Sequence, residues 1–234
     1  MQTGRAVKAI DWASVEESLN TVAYASLGRL LSSAQIKKLI ASYNNDSAFR
    51  STIKMARYNF GRGEYKYFAH PLPDVVTTLR RELYPPLARI ANRWADRLEV
   101  QPHPKTHKEL IAKCTAAGQM RPTPLILRYG EGDFNCLHQD LYGDVVFPLQ
   151  IVILLSDPGQ DFSGGEFVLT EQRPRMQSRV HVVPMRVGEA VVFAVNERPV
   201  EGRRGYYRVR VRHGVSEVRE GLRHALGVIF HDAK

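Results

Sequence analysis

From Pro124 onward the apolar residues of this chain recur at every second position, in eight short runs separated by Gly, Pro, Asp and Asn: LILRYG, FNCLHQD, FPLQIVILLS, GEFVLTE, VHVVPM, EAVVFAV, YYRVRVRH and RHALGVIF. A two-residue period marks strands with one face buried, because successive side chains leave a strand on opposite sides. About eight such strands at this spacing predict a sandwich or a barrel. The longest apolar run, around residues 151–155, is far short of the roughly 20 residues needed to cross a bilayer, so no membrane association is expected.

The first half has a different texture. Residues 14–31 and 34–43 place Leu, Ile, Val and Ala at three- and four-residue spacing and predict helices. Residues 54–70, KMARYNFGRGEYKYFAH, set aromatics among Arg and Lys around two glycines and predict an extended hairpin or flap. Residues 73–98 predict helix, divided in two at Pro85-Pro86, and residues 105–117 a further helix ending at Gly118. With no repeat and no linker in view, the helices are expected to buttress one face of the β core.

Two strand runs carry the chemistry. LHQDL places His138 and Asp140 two apart, so on a strand an imidazole and a carboxylate project to one face. Read alone, a turn carboxylate beside a hydrogen-bonded histidine explains the pair equally well. In YYRVRVRH the parity is clean: Val209, Val211 and His213 share the apolar face, and Arg208, Arg210 and Arg212 the other. A single inward histidine is ordinarily a core residue. Two histidines and one carboxylate from two strands are, however, the donor set that holds non-haem Fe(II) on one side and leaves positions open. Ten residues beyond His213, Arg223 shares parity with Ala225 and Gly227, small residues that leave room for a ligand beside a guanidinium suited to a carboxylate. Cys136 shares parity with His138 and is expected to line the same space.

On these residues, residues 122–232 resemble the 2-oxoglutarate and Fe(II)-dependent oxygenase superfamily, carried by H-x-D, a distal His and an Arg ten residues later. The resemblance implies an α+β fold: a double-stranded β-helix, or jelly roll, over residues 122–234, with residues 1–121 as a helical region packed on it and the flap at 54–70. It implies iron at His138, Asp140 and His213, and 2-oxoglutarate clamped by Arg223. With O2, that pair of cofactors turns a substrate C–H bond into an alcohol and releases succinate. GGEF at 164–167 and the strand VGEAVVFAV look like the prolyl-hydroxylase branch. RYGEGDFNCLHQD looks like the metal-strand region of AlkB-type nucleic-acid demethylases, which transfers a 2-oxoglutarate hydrogen bond to Tyr129. Taken whole, the chain is similar to a bacterial oxygenase family proposed to remove methyl groups oxidatively from damaged DNA.

Charge bears on the substrate. Thirty-three Lys+Arg against 24 Asp+Glu leave a formal +9, a balance that favours a polyanionic partner such as alkylated DNA. Arg173, Arg175, Arg179, Arg186, Arg198, Arg203 and Arg204 are expected around the barrel mouth. In the flap, Tyr58, Phe60, Tyr65 and Tyr67 are candidates for stacking on a base, with Arg62 and Lys66 for its phosphates. Packing of those rings onto the helices is the plainer alternative. His103 and His107, with Cys114, lack a fourth zinc ligand at suitable spacing and are expected to be solvated at a helix edge. Two cysteines and no charged-then-apolar leader suggest a reducing, cytoplasmic setting. Two rival functions stand beside DNA demethylation: a prolyl-type protein hydroxylase, and a non-catalytic jelly-roll module that binds nucleic acid through its arginines.

Overall fold

The computed structural model describes residues 2–234. The order of elements is α1 (Gln2–Lys8), α2 (Trp12–Val22), β1 (Tyr24–Arg29), α3 (Ser33–Ser42), β2 (Phe49–Lys54), β3 (Gly61–Arg62), β4 (Glu64–Phe68), α4 (Asp74–Arg97) and α5 (His107–Ala116). Strands follow: β5 (Leu125–Tyr129), β6 (Phe134–His138), β7 (Leu149–Leu154), β8 (Phe162–Gly164), β9 (Phe167–Gln172), β10 (Arg179–Val183), β11 (Glu189–Ala194), β12 (Glu197–Gly202), β13 (Gly205–Val215), β14 (Val218–Gly221) and β15 (Arg223–Val228). All eight runs of period two form strands; the short β8, β12 and β14 carry too few residues for a period to register.

Two antiparallel sheets face each other. The larger runs β1-β11-β7-β15-β5-β4-β2, the smaller β10-β9-β13-β6-β3 with β12 added beside β13. This is the jelly-roll arrangement, with α4 laid over the outer face of the larger sheet against β15. Every residue of β7 and β15 is buried, since one face meets the helices and the other the space between the sheets. Three strands from the helical half, β1, β2 and β4, join the larger sheet, so the predicted flap is a hairpin whose returning strand pairs with β5. Only its tip, residues 55–63, stands outside that sheet. Among the described residues no helix is long and apolar enough to cross a membrane.

Two sequence expectations are corrected here. The helix predicted over 14–31 stops at Val22, where Ala23 takes a left-handed φ of 68°, and residues 24–29 form β1, paired with β11. Ala25 and Leu27 are buried in alternation, and the unpaired edge of β11 offers hydrogen bonds that outweigh helix propensity worth only tenths of a kcal/mol per residue. The second correction is α4, which runs unbroken through Pro85 and Pro86. A proline inside a helix costs about 3 kcal/mol. Leu79, Leu83, Leu87, Ile90 and Trp94 are nearly inaccessible on the buried face, and at about 1.5–3 kcal/mol each they offset that cost.

Buried histidines make the fold acid-sensitive. Burial, ahead of nearby Lys113, Arg80 or Arg128, pushes His103, His107, His224 and His231 down to about 4. His103 and His107 are thus packed against the core, His107 Nε2 3.0 Å from the Phe230 carbonyl and His103 edge-on to Phe147, instead of solvated as their sequence setting suggested. In the unfolded chain these imidazoles titrate near 6.5. Between about pH 6.5 and 4 the unfolded state therefore binds protons that the native state does not, and stability falls as pH falls. Denaturant titrations from pH 7 to pH 4 should give a dependence approaching about four protons; a flat profile across that window would contradict the burial.

Candidate metal centre

His138 ends β6 and His213 stands directly opposite on β13. Three residues back on β6, Asn135 faces Val215, which is only two residues along β13. The extra residue on β6 is a bulge, which turns His138 and Asn135 both inward. Cys136, expected to line the cavity by simple alternation, is consequently exposed and outside it. Gly214 permits the close approach here, since a Cβ at that position would lie 2.7 Å from the Asn135 carbonyl oxygen.

Asp140 lies just past the end of β6 and completes the group. Its Oδ1 is 3.5 Å from His138 Nε2 and its Oδ2 3.3 Å from His213 Nε2. One ligand atom from each of the three residues falls within 4.8 Å of the others, and among the described residues this is the one His/Cys/Asp/Glu cluster able to hold a metal ion. The His138 Nδ1–H donates to the Cys136 carbonyl at 2.8 Å, which fixes the ring and leaves Nε2 as the donor toward a metal. The Tyr142 hydroxyl donates to Asp140 Oδ1 at 2.6 Å and holds the carboxylate in place. The loop behind it is pinned by Gln119, whose amide nitrogen donates to the carbonyls of Tyr142 and Val145. Gly143, at φ +103°, makes room for that amide, since a Cβ there would lie 2.6 Å from Gln119 Cδ.

The charge states suit a cation. Burial works against ionised Asp140, yet its bonds to His138 and His213 outweigh it and hold the carboxyl well below the usual range. Burial and the neighbouring His138 keep His213 low, hence neutral. Burial also opposes the charged form of His138, but Asp140 and the Cys136 carbonyl prevail and raise it. Two imidazoles and a carboxylate on one side of a partly open cavity are a donor set fitting Fe(II).

Arg223 and Tyr129 sit side by side across β15 and β5. The Arg223 guanidinium is 2% exposed, has no ion pair among the described residues, and carries an Nε with no hydrogen-bond partner. Its nearest companions are the rings of Tyr129 and Phe162, 5.6 and 5.9 Å from the guanidinium carbon. Burial pushes its pKa down and that of the Tyr129 phenol up, and Asn135 Nδ2 donates to the Tyr129 oxygen at 3.3 Å. An unpaired cation in such a place costs several kcal/mol until an anion joins it.

These groups line a cavity of about 210 Å³ whose walls include Phe60, Tyr65, Leu127, Leu141, Tyr142 and Gln150. Of the flap candidates, Phe60 and Tyr65 reach it. Tyr58 stacks on Phe60, ring centroids 5.5 Å apart at 21°, and both are exposed. Arg62 is exposed on β3 and outside the lining. Tyr67 is buried behind Tyr65 and Tyr142, and Lys66 is bound to Asp46 and the Tyr43 carbonyl at the far face of β4. Neither reaches the cavity, because adjacent residues on a strand point to opposite faces and the pairing of β4 with β5 spends both. Arg198, expected at the mouth, is likewise buried, held by Glu171 and by carbonyls at the end of α2. The other six rim arginines are exposed. Sequence reasoning missed Tyr142 and Gln150; the first shares the spacing of His138 and Asp140, and the second is the one polar residue of β7.

Comparison with known proteins agrees with this geometry. Residues 63–233 match the model of a family described as an oxygenase catalysing oxidative methylation of damaged DNA. Two uncharacterised proteins from strains of Mycobacterium tuberculosis are each 50% identical over 167 residues, 71% of this chain and 72% of theirs. Among solved structures, a prolyl-4-hydroxylase of Pseudomonas putida is similar at TM-score 0.53 and 16% identity, over 95% of this chain and 100% of that one. The non-haem α-ketoglutarate-dependent epimerase SnoN of nogalamycin biosynthesis is similar at TM-score 0.55 and 14% identity, over 92% and 80%. At such identities the shared property is the fold.

Proposed function

The chain belongs to the family of oxygenases described as acting on damaged DNA, and from that premise we propose that it is an Fe(II)- and 2-oxoglutarate-dependent dioxygenase that removes methyl groups oxidatively from alkylated bases. The observation that carries the cofactor reading is Arg223, a buried guanidinium without a counter-anion, in the cavity that also holds the three candidate ligands. A dicarboxylate satisfies both needs, one end on the arginine and the other toward the metal. When bound, iron and 2-oxoglutarate supply the activation of dioxygen and the oxidising power toward a substrate C–H bond.

The rest is done by this chain's side chains. His138, Asp140 and His213 hold the metal from one side, and Tyr142 keeps the carboxylate from swinging away. Arg223 and Tyr129 orient the cosubstrate, the phenol kept neutral by burial and so able to donate. Leu125, Leu127, Val152 and Phe193 exclude water from the reacting atoms. A methyl group on a ring nitrogen, once hydroxylated, leaves as formaldehyde and returns the bare base.

DNA is favoured over a peptide by the mouth of the cavity. The exposed Tyr58–Phe60 stack offers a flat apolar platform, and stacking a base on such a ring contributes about 1–3 kcal/mol. Arg57, Arg62 and the exposed rim arginines supply charge for phosphates. A cytoplasmic setting accords with the exposed Cys136 thiol. The test is succinate release with Fe(II), 2-oxoglutarate and either methylated oligonucleotide or proline-containing peptides. Stimulation by the methylated strand with formaldehyde formed is expected; stimulation by peptide alone moves the assignment to a protein hydroxylase, and tight DNA binding without turnover to a binding module.

A further inference from the structure

Among the described residues, five buried side-chain atoms have no hydrogen-bond partner: Arg80 Nε, Gln150 Oε1, His213 Nδ1, Arg223 Nε and His231 Nε2. Buried polar atoms are nearly always paired, so each calls for a reason. His213 and Arg223 have theirs in the reading above. Arg80 is bound through its other nitrogen to the Phe230 carbonyl and Asp232, and His231 accepts the Phe147 N–H through Nδ1. Gln150 alone is left with an acceptor that nothing in the fold explains.

Its position says what it faces. Gln150 is 6% exposed and lines the cavity beside the candidate ligands. It pairs with Phe193 on β11, whose ring lies 4.7 Å from that of His213. Arg223 lies at the other end of the same sheet. From Arg223 to Gly227 is four residues of β15, Gly227 pairs with Val152, and Gln150 lies two residues further along β7. Six residues of strand span on the order of 20 Å. The amide thus stands at the end of the cavity remote from the cosubstrate clamp, where the molecule to be oxidised must enter. Around it Leu125, Val152 and Gly227 are apolar, and one hydrogen bond in such surroundings discriminates strongly, because a ligand that cannot make it leaves the acceptor unpaired. The last torsion of a glutamine is soft, so the oxygen can turn into the cavity at little cost.

We propose that Gln150 reads the substrate: its carboxamide oxygen accepts a hydrogen bond from the exocyclic amine of the base held over the metal site, and the cavity thereby selects bases that carry an amine over bases edged by carbonyls alone. This rests on the alkylated-base reading and narrows it to amino bases.

The test pairs two lesions of one shape. 3-Methylcytosine carries an amine where 3-methylthymine carries a carbonyl. Oligonucleotides containing each are titrated by fluorescence anisotropy, without oxygen, against Fe(II)- and 2-oxoglutarate-loaded wild type and Gln150→Met, which keeps the length of the side chain and removes its polar atoms. The wild type should favour the amino base, and the variant should lose about tenfold or more of that ratio. Comparing the ratio between the two proteins cancels the charge difference between the lesions. The oligonucleotide-free variant should also melt about 2–4 °C higher, because an unpaired buried acceptor has gone. A variant that keeps the wild-type ratio, or that melts lower, overturns the role of Gln150 and leaves the DNA reading standing. A wild type that favours 3-methylthymine does the same. A wild type that binds neither strand overturns the DNA reading, and this inference with it.

Discussion

His213→Ala is expected to take turnover to background and to weaken metal retention by at least about a hundredfold. Losing a residue that merely orients a metal ligand costs 10–100-fold in affinity, so losing one of three ligands costs more. The alanine also leaves a hole, because the His213 ring packs against His138 at 4.2 Å and Phe193 at 4.7 Å, and large-to-alanine changes in a core cost about 2–5 kcal/mol. His213→Gln separates the two effects, since it fills most of the space and lacks the imidazole. Both variants should fail to bind Co(II) or Fe(II) in anaerobic titration, the glutamine one while melting close to wild type. Wild-type metal affinity in the glutamine variant would show that the three side chains are not a metal site.

Removing Arg223 should act in opposite directions on binding and on stability. In Arg223→Met the affinity for 2-oxoglutarate is expected to fall by roughly a hundredfold or more, since truncating one partner of a buried, hydrogen-bonded charge pair costs about 2–5 kcal/mol. In the absence of cosubstrate the same change should leave the melting temperature equal or higher, because it deletes a buried cation with no counter-anion. Excess 2-oxoglutarate would then raise the melting temperature of the wild type well above that of the variant. Titrating 2-oxoglutarate calorimetrically and melting both proteins with and without it checks all three. Equal affinities would sink the clamp, and a large loss of stability in the ligand-free variant would mean that Arg223 is paired within the fold.

The site was legible where the chain's local rules hold. On β13 and β15, strict alternation places His213, Arg223, Ala225 and Gly227 inward, as their parity predicts. On β6 the same rule failed by one residue: the bulge opposite Gly214 keeps His138 inward but turns Cys136 out and brings Asn135 in. A bulge leaves no mark in hydrophobic periodicity, because it depends on how closely the partner strand can approach. The flap was read half correctly for a related reason. Its composition announced aromatics among cations, yet Tyr67 and Lys66 are consumed by the pairing of β4 with β5, and only the tip, with Tyr58 and Phe60, remains free.

Period and spacing in the sequence by themselves determined the eight principal strands, the faces on which His213 and Arg223 lie, and the donor types that suit Fe(II) and a carboxylate. Each depends on neighbours a few residues away, or on chemistry a side chain carries anywhere. Tertiary structure alone decided that residues 24–29 would be a sheet edge instead of a helix end, that α4 would run through two prolines, that Tyr142 would hold Asp140, and that Gln150 would keep a buried oxygen without a partner. These outcomes are set by which surfaces meet across the fold, where burial and unmade hydrogen bonds worth kilocalories override local preferences worth tenths.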